Sequence, residues 1–457
     1  MRPAPHLIAA ALLCLATGSA NAAVVGRVQI VGLDDAMADN VRLSLSLVEA
    51  AGNDVSARRM AYLVREAEDE TREALEPFGY YSPQVSVERD PETNLVRITV
   101  VLGDPVRVRA SAIAIDGAAS KDRYMNEELD AFVPQAGDVF NSAAYDTSKA
   151  NISRRLAERG YFDASLASHR VEVTRAEHAA DIDLRWTSGD RYAMGRVDFE
   201  QQPTQPIRPQ LLEKLVYWDE GSYYHQGKID RLRKSLTELD YFSSIEIKAQ
   251  PEQAGDDRQV PIDVLLTPAK RSIYTYGLSY GTDSGAGVRL GLERRYLNSR
   301  GHKALAQVDW AQKRKTLTLQ YRIPAFAWLD GWYTGSLQFA DEQTDYIDSR
   351  RVEFVASRSG HVNAQLTANA SLHVLRERWA YALVDPSTPA GMTPVVDYRY
   401  ASFVYPALRA EYLKVDDRVF PRRGGALNLT LRGGLDNAGS DASFAQVHAS
   451  AHWFNGI

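Results

Sequence analysis

The sequence has 457 residues but only one cysteine, Cys14, which lies in an apolar segment near the N-terminus. Removal of that segment would leave a mature chain without cysteine, which excludes disulfides, cysteine metal sites and cysteine nucleophiles. A lipoprotein signal usually has a small residue before the modified cysteine. Leu13 occupies that position here, so we do not expect lipid attachment.

Long apolar runs are also absent. The longest uninterrupted run, residues 7–16, has ten residues, whereas a transmembrane helix needs about 20. Charged residues make up 25% of the chain, which is further evidence against a helical membrane protein. The same composition suits a β-barrel, because only alternate residues of a barrel strand contact lipid.

The chain has no excess of positive charge. Its formal net charge is -6 and its pI is about 5.9, whereas a domain that binds nucleic acid is usually basic. We therefore expect no nucleic-acid partner.

Catalytic and metal-binding patterns are scarce. Residues 277–281 match G-x-S-x-G, but Ser279 lies inside an alternating strand pattern, not at a strand-to-helix turn. The histidines lack H-E-x-x-H or a comparable ligand spacing, and acid pairs such as Asp416 and Asp417 lie in turn-like sequence. We expect no catalytic residue, no metal and no cofactor, and the chain is not expected to be an enzyme.

The N-terminus is typical of a secretory signal peptide. Arg2 supplies the positive start, residues 7–16 the apolar core, and Ala20, Asn21 and Ala22 an A-x-A cleavage site. The prediction is that residues 1–22 are removed by cleavage between Ala22 and Ala23. A short anchoring helix is the alternative, but the apolar run is too short for it.

A pattern repeats three times between residues 24 and 268. Each copy has a β-like run, a helix-like stretch, an aromatic corner and two further strand-like runs. The corner tyrosines Tyr80, Tyr161 and Tyr241 are separated by 81 and 80 residues. A constant period indicates a repeated structural unit, and this length suits a small β-α-α-β-β domain. We expect the corners to pack in the domain cores; a direct binding role is the alternative.

The first strands of the three copies are predicted at residues 24–32, 106–117 and 192–201. Apolar residues follow a 3.6-residue period before the corners, which predicts helices there. Gly160 is expected to end the second of these helices in a left-handed conformation.

From Ile273 onward the chain predicts about ten amphipathic strands. Leu319 and Tyr321 alternate with Gln320 and Arg322, so each strand has one apolar and one polar face. We expect the apolar faces to contact lipid and the charged residues to face a lumen. An arginine on the lipid face costs about 2–4 kcal/mol at the bilayer midplane. A soluble sandwich can produce the same alternation, but the secretion signal favours a membrane barrel.

Aromatic residues cluster at the predicted strand ends and are expected to form an interfacial girdle. For Trp379 and Tyr381, the alternative role is to cap a long extracellular loop rich in proline. A turn is predicted at residues 313–315. The girdle residues are Tyr296, Trp328, Trp332, Tyr333, Trp379 and Tyr381, and the loop contains Pro386, Pro389 and Pro394.

Two short motifs add to the repeats. Residues 321–324 (Tyr-Arg-Ile-Pro) are similar to an aromatic-x-aliphatic-Pro strand end, and residues 417–424, with Pro421, Arg423 and Gly424, to an Asp…Pro-x-Arg-Gly strand start. With the three corners, the mature chain resembles the outer-membrane insertase and transporter superfamily that includes BamA and TamA. Three repeats are most similar to the TamA branch.

The resemblance implies a fold class of α+β POTRA repeats followed by an all-β antiparallel transmembrane barrel. The implied domains are a signal peptide at 1–22, POTRA units at 23–104, 105–189 and 190–269, and a barrel at 270–457. The protein is expected in the outer membrane of a Gram-negative bacterium, in contact with its lipid, with the POTRA units in the periplasm.

The implied function is assembly or translocation of unfolded outer-membrane clients, including autotransporters, through a lateral barrel seam. A TamB-like partner anchored in the inner membrane would dock on the POTRA units. A two-partner-secretion pore or another BamA-like insertase is the alternative, as is a passive porin or adhesin. The candidate seam strand consists of Ile273, Tyr274, Thr275, Tyr276, Gly277, Leu278, Ser279, Tyr280 and Gly281.

The sequence departs from the family pattern in one respect. Family barrels have about sixteen strands, and no Val-Arg-Gly-aromatic loop motif or closing aromatic strand follows the ten predicted here. We therefore expect a truncated chain or a fragment, since an open sheet would leave unpaired strand edges in lipid.

Overall fold

The computed structural model describes residues 22–24, 27–90, 92–282, 284–326, 331–343, 347–381 and 398–456. The chain divides into two compact units, one ending at Arg191 and the other beginning at Tyr192. The predicted signal peptide before Ala22, Trp328 and the proline-rich loop lie outside the described residues.

The first unit begins with a three-stranded sheet packed against helices. In this sheet, β2 pairs parallel with β5, and β4 pairs antiparallel with β5. The elements are β1 (Ala22–Val24), β2 (Val28–Val31), α1 (Asp35–Ser44), α2 (Ser46–Glu49), β3 (Asp54–Ser56), α3 (Ala57–Leu75), β4 (Gln84–Asp90) and β5 (Leu95–Val101).

The prediction of one strand over residues 24–32 is wrong. β1 pairs with β3 in a separate two-stranded sheet, whereas β2 pairs with β5. The sequence is apolar across both segments, so its pattern does not reveal that the main chain changes partner. Ala22 and Ala23, the predicted cleavage residues, both lie in β1.

The first unit continues with a second sheet of the same topology, in the order β6-β8-β7. Its core contains Trp186, Ile152 and Leu156. Gly160 follows α5 with a φ of +87°, as the sequence predicts. The elements are β6 (Arg107–Asp116), α4 (Arg123–Asp130), α5 (Ser142–Glu158), β7 (Ser165–Thr174) and β8 (Ala179–Thr187).

The second unit begins with a third copy of this arrangement, in which β11 lies between β9 and β10. The apolar stripe of α7, which includes Leu232 and Leu236, is fully buried. The elements are β9 (Ala193–Gln201), α6 (Pro209–Leu212), α7 (Gln226–Leu239), β10 (Phe242–Ala249) and β11 (Gln259–Pro268).

Ten antiparallel strands follow, each hydrogen-bonded to its neighbours in chain order. Among the described residues, β12 and β21 each have one partner strand. The strands are β12 (Ser272–Gly281), β13 (Gly285–Arg294), β14 (Lys303–Ala311), β15 (Arg314–Pro324), β16 (Gly331–Gln343), β17 (Ile347–His361), β18 (Leu366–Tyr381), β19 (Arg399–Val415), β20 (Arg423–Gly434) and β21 (Phe444–Asn455).

The register gives the ten-stranded sheet two chemically different faces, which confirms the predicted fold class. Leu319 lies opposite Ala306 on one side and Leu337 on the other, and the same row continues through Phe354 and Val374. We call the surface containing this row the apolar face. The opposite surface, which contains Gln320 and Arg322, is the polar face. No described helix is both long and apolar enough to cross a membrane.

Three predictions about this sheet are wrong. Arg314 and Lys315 open β15, so the turn before it is shorter than predicted. Trp332 and Trp379 belong to the polar face, opposite Ser359 and Ser349, and cannot join a lipid-facing girdle. Tyr296 lies in a turn and packs edge-to-face on Tyr241 at 6.4 Å. Position near a strand end therefore does not determine which face an aromatic occupies.

The prediction that charged residues face away from lipid also has exceptions. Several cations lie on the apolar face, and four of these are in register with Trp310 or Val308. They are Lys315, Arg350, Arg376 and Arg378.

Candidate functional site

In the part of the chain that the structure describes, the first strand of the sheet, β12, is paired along one edge only. Residues of an antiparallel pair alternate between positions that bond the partner and positions that point away. Arg295 N donates to Arg271 O (3.0 Å), and Gln312 N donates to Ala286 O (3.1 Å). With the observed register, odd-numbered residues of β12 bond β13. The N–H and C=O groups that point to the other edge belong to Ser272, Tyr274, Tyr276, Leu278 and Tyr280.

The same alternating residues carry the apolar side chains of β12. Leu278 and Tyr280 are 88% and 83% exposed, among the largest values for apolar residues in the described chain. A strand that adds to this edge would therefore meet unpaired main-chain groups beside a row of apolar side chains.

Glycines leave few side chains on the polar face of the β12–β13 hairpin. Cross-strand side-chain pairs stabilise neighbouring strands, and glycine contributes none. Ile273 and Glu293 form the one side-chain pair on this face in which neither member is glycine. The remaining pairs are Thr275–Gly291, Gly277–Arg289, Ser279–Gly287 and Gly281–Gly285. On this face β12 thus has few side-chain contacts with β13, whereas on the apolar face Tyr274, Tyr276 and Leu278 pair with Leu292, Leu290 and Val288. Ser279 lies within the strand, not at a nucleophile elbow.

In β21, the last described strand, the main-chain groups also alternate between those that bond β20 and those that do not. Gly456 N donates to Arg422 O (2.6 Å), so even-numbered residues of β21 bond β20. Odd-numbered residues, which include Val447 and Trp453, point their main-chain groups away from β20. Both side chains are largely exposed.

The third copy of the repeat is attached to the sheet through its aromatic corner. Tyr241 is fully buried and donates its hydroxyl to Gly301 O, in the turn between β13 and β14. Burial raises the pKa of the Tyr241 hydroxyl, so it remains a donor. Arg208 N donates to Ser299 O (3.0 Å) in the same turn. The turn therefore connects the third copy to the second and third strands of the sheet.

Charged groups surround this contact. Asp240 accepts from Arg295 Nε at 2.9 Å, and Lys303 Nζ lies 4.0 Å from the same carboxylate. Lys303 is buried and lies over the rings of Tyr241 and Trp332. No local sequence pattern predicts this cluster, because its members come from a repeat, a turn and a strand.

The other two corners lie within the first unit. Tyr161 is buried and donates to Asp122 Oδ2 (3.1 Å); burial and the neighbouring carboxylate raise its pKa to about 12. Tyr80 is half-buried against the core of the first copy. The three corners are far apart in sequence and in role, so they do not form one site.

The predicted Asp…Pro-x-Arg-Gly motif forms the turn between β19 and β20. Asp416 Oδ1 accepts from Arg422 N (2.9 Å) and Arg423 N (3.0 Å). Gly424 has a φ of +128°, and a Cβ there would lie 2.1 Å from Lys414 O. Pro421 precedes these residues in the turn, so the motif fixes where β20 begins.

Comparison with known proteins identifies the repeats. Residues 27–102 match the family model described as POTRA domain TamA domain 1, and residues 108–187 match the POTRA model described as surface antigen variable number repeat. The outer membrane protein assembly factor BamA of Buchnera aphidicola subsp. Acyrthosiphon pisum (strain APS) is 20% identical over 251 residues, which are 54% of this chain and 40% of that protein.

The fold is similar to that of a solved structure, BamA from Haemophilus ducreyi lacking POTRA domains 1-3. The TM-score is 0.55 at 16% identity, and the match covers 76% of this chain and 66% of that chain. The first two repeats therefore match POTRA domains, and the chain is similar to BamA in sequence and in fold. It spans less than half the length of the Buchnera BamA that it matches.

The POTRA matches and the similarity to BamA, an outer-membrane protein, place the sheet in the outer membrane and the repeats in the periplasm. The end of the sheet that contacts the third repeat is therefore the periplasmic end. The turn between β12 and β13 lies at the external end. Among the described residues, no group of three or more His, Cys, Asp or Glu side chains could hold a metal ion.

Proposed function

We propose that the chain acts in the insertion or export of other outer-membrane proteins, in the manner of TamA, with autotransporters among its clients. The match of residues 27–102 to a TamA domain model supports the TamA branch. The chemistry is main-chain hydrogen bonding and exchange of strand partners, without a covalent step. POTRA boundaries at residues 104, 189 and 269 are part of this proposal.

The edge of β12, which has β13 as its one partner strand among the described residues, is the observation that carries the proposal. An exposed strand edge is a template for pairing with another chain. The glycine-rich pairing on the polar face would favour separation of β12 from β13, because few side-chain contacts on that face must be broken. A client strand would add at Tyr274, Tyr276 and Leu278, with its apolar residues on the same face.

The third repeat would couple the binding of a partner in the periplasm to the edge of β12. Its corner contacts the turn that begins β14, which is two strands from that edge. We propose that a TamB-like partner anchored in the inner membrane docks on the POTRA repeats. Each repeat sheet offers an edge for such docking, at β4, β7 and β10.

A pore of the two-partner secretion type is the second candidate function. It also combines POTRA units with a barrel, but it usually has two such units. The third β-α-α-β-β copy, at β9 to β11, favours the assembly function. A passive porin or adhesin would leave all three copies without a role.

Site-specific cross-linking tests the seam. The mature sequence has no cysteine, so Tyr276→Cys at the edge and Leu319→Cys in β15 are single-cysteine variants. Both positions lie on the apolar face. We expect disulfides between residue 276 and cysteines in a strand of a stalled client, and none at residue 319. Equal yields at the two positions would contradict a seam at β12.

Capture with the tagged full chain separates the two candidate functions. Recovery of a large β-rich protein anchored in the inner membrane would support the assembly function. Recovery of one exported adhesin, without such a partner, would support the secretion pore.

A further inference from the structure

A band of cations crosses the apolar face near its external end. In the register, Lys315 lies opposite Trp310 and Asp341, and Arg350 lies between Asp341 and Arg378. Arg376 lies in the neighbouring row, opposite Val352. We call Lys315, Arg350, Arg376 and Arg378 the cationic patch.

Strand length places the cationic patch at the external interface of the bilayer. Lys315 lies nine positions before Pro324, at the periplasmic end of β15, and Arg350 lies eleven before His361 in β17. Arg376 lies ten positions after Leu366 in β18. A tilted strand crosses the hydrocarbon in about 9–11 residues. The guanidinium groups therefore lie where the hydrocarbon ends and the headgroups begin.

Acidic side chains balance only part of the patch. Asp341 accepts from Arg350 Nε (3.0 Å), and Asp348 lies 3.8 Å from Arg378 and accepts from Tyr398 Oη (2.8 Å). Four cations thus share two carboxylates on this face. Arg376 is exposed, and its direct cross-strand neighbours are Val352 and Ser402, neither of which is charged.

The surface between these side chains is concave and partly aromatic. A depression of about 640 Å³ is lined by the patch, by apolar residues of the neighbouring row, and by Trp310 and Tyr400. Lys315 Nζ lies 5.3 Å from the centre of the Trp310 ring. Amphipathic rings favour the headgroup level of a membrane. The lining thus combines apolar side chains with more cations than carboxylates, of which it has two, Asp341 and Glu377, and this suits a lipid with an anionic headgroup.

We propose that the cationic patch binds the phosphate groups of an anionic lipid in the external leaflet. Cations on a lipid-facing surface are tolerated near the interface. Phosphate oxygens there accept charge-assisted, bidentate hydrogen bonds from guanidinium groups. The lipid would hold β15 to β18 at a fixed depth while the edge at β12 stays free. The site itself does not depend on the proposed function in protein insertion.

Native mass spectrometry of the full chain in neutral detergent tests the proposal. The probes are diphosphoryl lipid A, the same lipid after removal of both phosphates, and inorganic phosphate. The test variant is R350Q/R376Q. The matched control is R409Q/R432Q, which removes two arginines from the polar face that do not line the depression. Circular dichroism checks that each variant keeps its strand content.

The expected result has three parts. Diphosphoryl lipid A remains bound to the wild type, and R350Q/R376Q weakens its binding about tenfold, while the control changes it less than about twofold. Removal of the phosphates weakens binding to the wild type by a similar factor. Inorganic phosphate binds much more weakly than the lipid, because it has no acyl chains to contact the apolar side chains of the depression.

Other outcomes would overturn the proposal. Equal binding of the lipid with and without phosphates would show that binding depends on the acyl chains and not on the phosphate groups. Inorganic phosphate binding as tightly as the lipid would indicate a site for a free anion. Unchanged binding in R350Q/R376Q, an equal loss in the control, or no binding of any probe would each contradict a lipid site at the patch.

Discussion

The second and third repeats have the same topology but use their aromatic corners differently. Tyr161 donates to Asp122 inside its own repeat, where Arg159 pairs with the same carboxylate. Tyr241 donates to the turn at Gly301, outside its repeat. Asp240, which precedes it, pairs with Arg295 of that turn.

The difference shows how one repeated element can serve two purposes. In the second repeat, the polar partners of the corner are local and close the domain core. In the third repeat, the equivalent tyrosine is fully buried, and its hydroxyl lies against Gly301 in a turn of the barrel sheet. The corner is a core element in one copy and an anchor in the other.

The largest expected effect is the loss of the buried ion pair in the second repeat. Asp122 and Arg159 are only 7% and 8% exposed. Asp122→Ala leaves the Arg159 charge buried without its carboxylate, which should cost about 3–5 kcal/mol. Hydrogen exchange of the full chain should show that loss in α4, α5 and β8, and none in α7 and β10. An equal loss in the third repeat would break the distinction between the two copies.

The same carboxylate predicts a pH dependence. Burial alone would raise the pKa of Asp122, but hydrogen bonds and charge from Arg159 outweigh it and lower the pKa below its usual value. Its stabilising effect is therefore full above about pH 4 and is lost as the pH falls through the lowered pKa. Hydrogen exchange between pH 5 and pH 3 should show falling protection in the second repeat, and Asp122→Asn should remove most of that dependence.

The next largest effect should come from Gly301→Ala at the anchor. Gly301 has a φ of +72°, and a Cβ there would lie 2.5 Å from the Tyr241 hydroxyl. Left-handed strain and overpacking together should cost roughly 2–3 kcal/mol. Gly221→Ala is the matched control, because Gly221 has a φ of +83° with no atom within 4 Å of the added Cβ.

The control isolates the contact from the backbone strain. We expect Gly221→Ala to cost only about 1 kcal/mol and to leave exchange in the turn between β13 and β14 unchanged. If both substitutions reduce protection of α7 equally, the contact between corner and turn contributes nothing.

Removal of the two hydroxyls compares the corners directly. Tyr161→Phe and Tyr241→Phe should each cost about 1–2 kcal/mol, because each deletes one buried hydrogen bond. Tyr161→Phe should increase exchange in the second repeat, whereas Tyr241→Phe should increase it in the turn at Gly301. A local effect of Tyr241→Phe, confined to β10 and β11, would show that the third corner is no anchor.

The smallest effect should come from Asp240→Asn. Asp240 has a φ of +55°, a conformation that asparagine also adopts, so the substitution changes charge more than backbone. The pair with Arg295 is partly exposed, at 47% and 22%, and should contribute about 0.5–1 kcal/mol. Exchange in the turn at low and high salt measures it; a wild-type value insensitive to salt would contradict a role for the pair.

Much of the fold could be predicted from the sequence. The 80-residue spacing of Tyr80, Tyr161 and Tyr241 indicated repeated units, and alternation after Ile273 indicated ten strands with two faces. Both signals are local or periodic, so they can be recognised without knowing which segments pair with each other. The fold class they predicted is confirmed.

What could not be predicted depends on pairing between distant segments. β1 pairs with β3 and not with the first repeat sheet, and the turn at Gly301 contacts the corner of the third repeat. Neither event changes the local pattern. The cationic patch did leave a signal, since Arg376 and Arg378 continue the alternation of the apolar Leu372 and Val374. The seam residues of β12 remain a prediction until cross-linking locates them.

Accessibility measurements on either side of one strand test the central claim, that the apolar face contacts hydrocarbon. Nitroxide labels at Leu319→Cys and Gln320→Cys, in protein reconstituted in bilayers, should differ sharply. The label at 319 should collide mainly with oxygen, and the label at 320 mainly with a water-soluble nickel chelate. Equal exposure of both labels to the nickel chelate would contradict the claim.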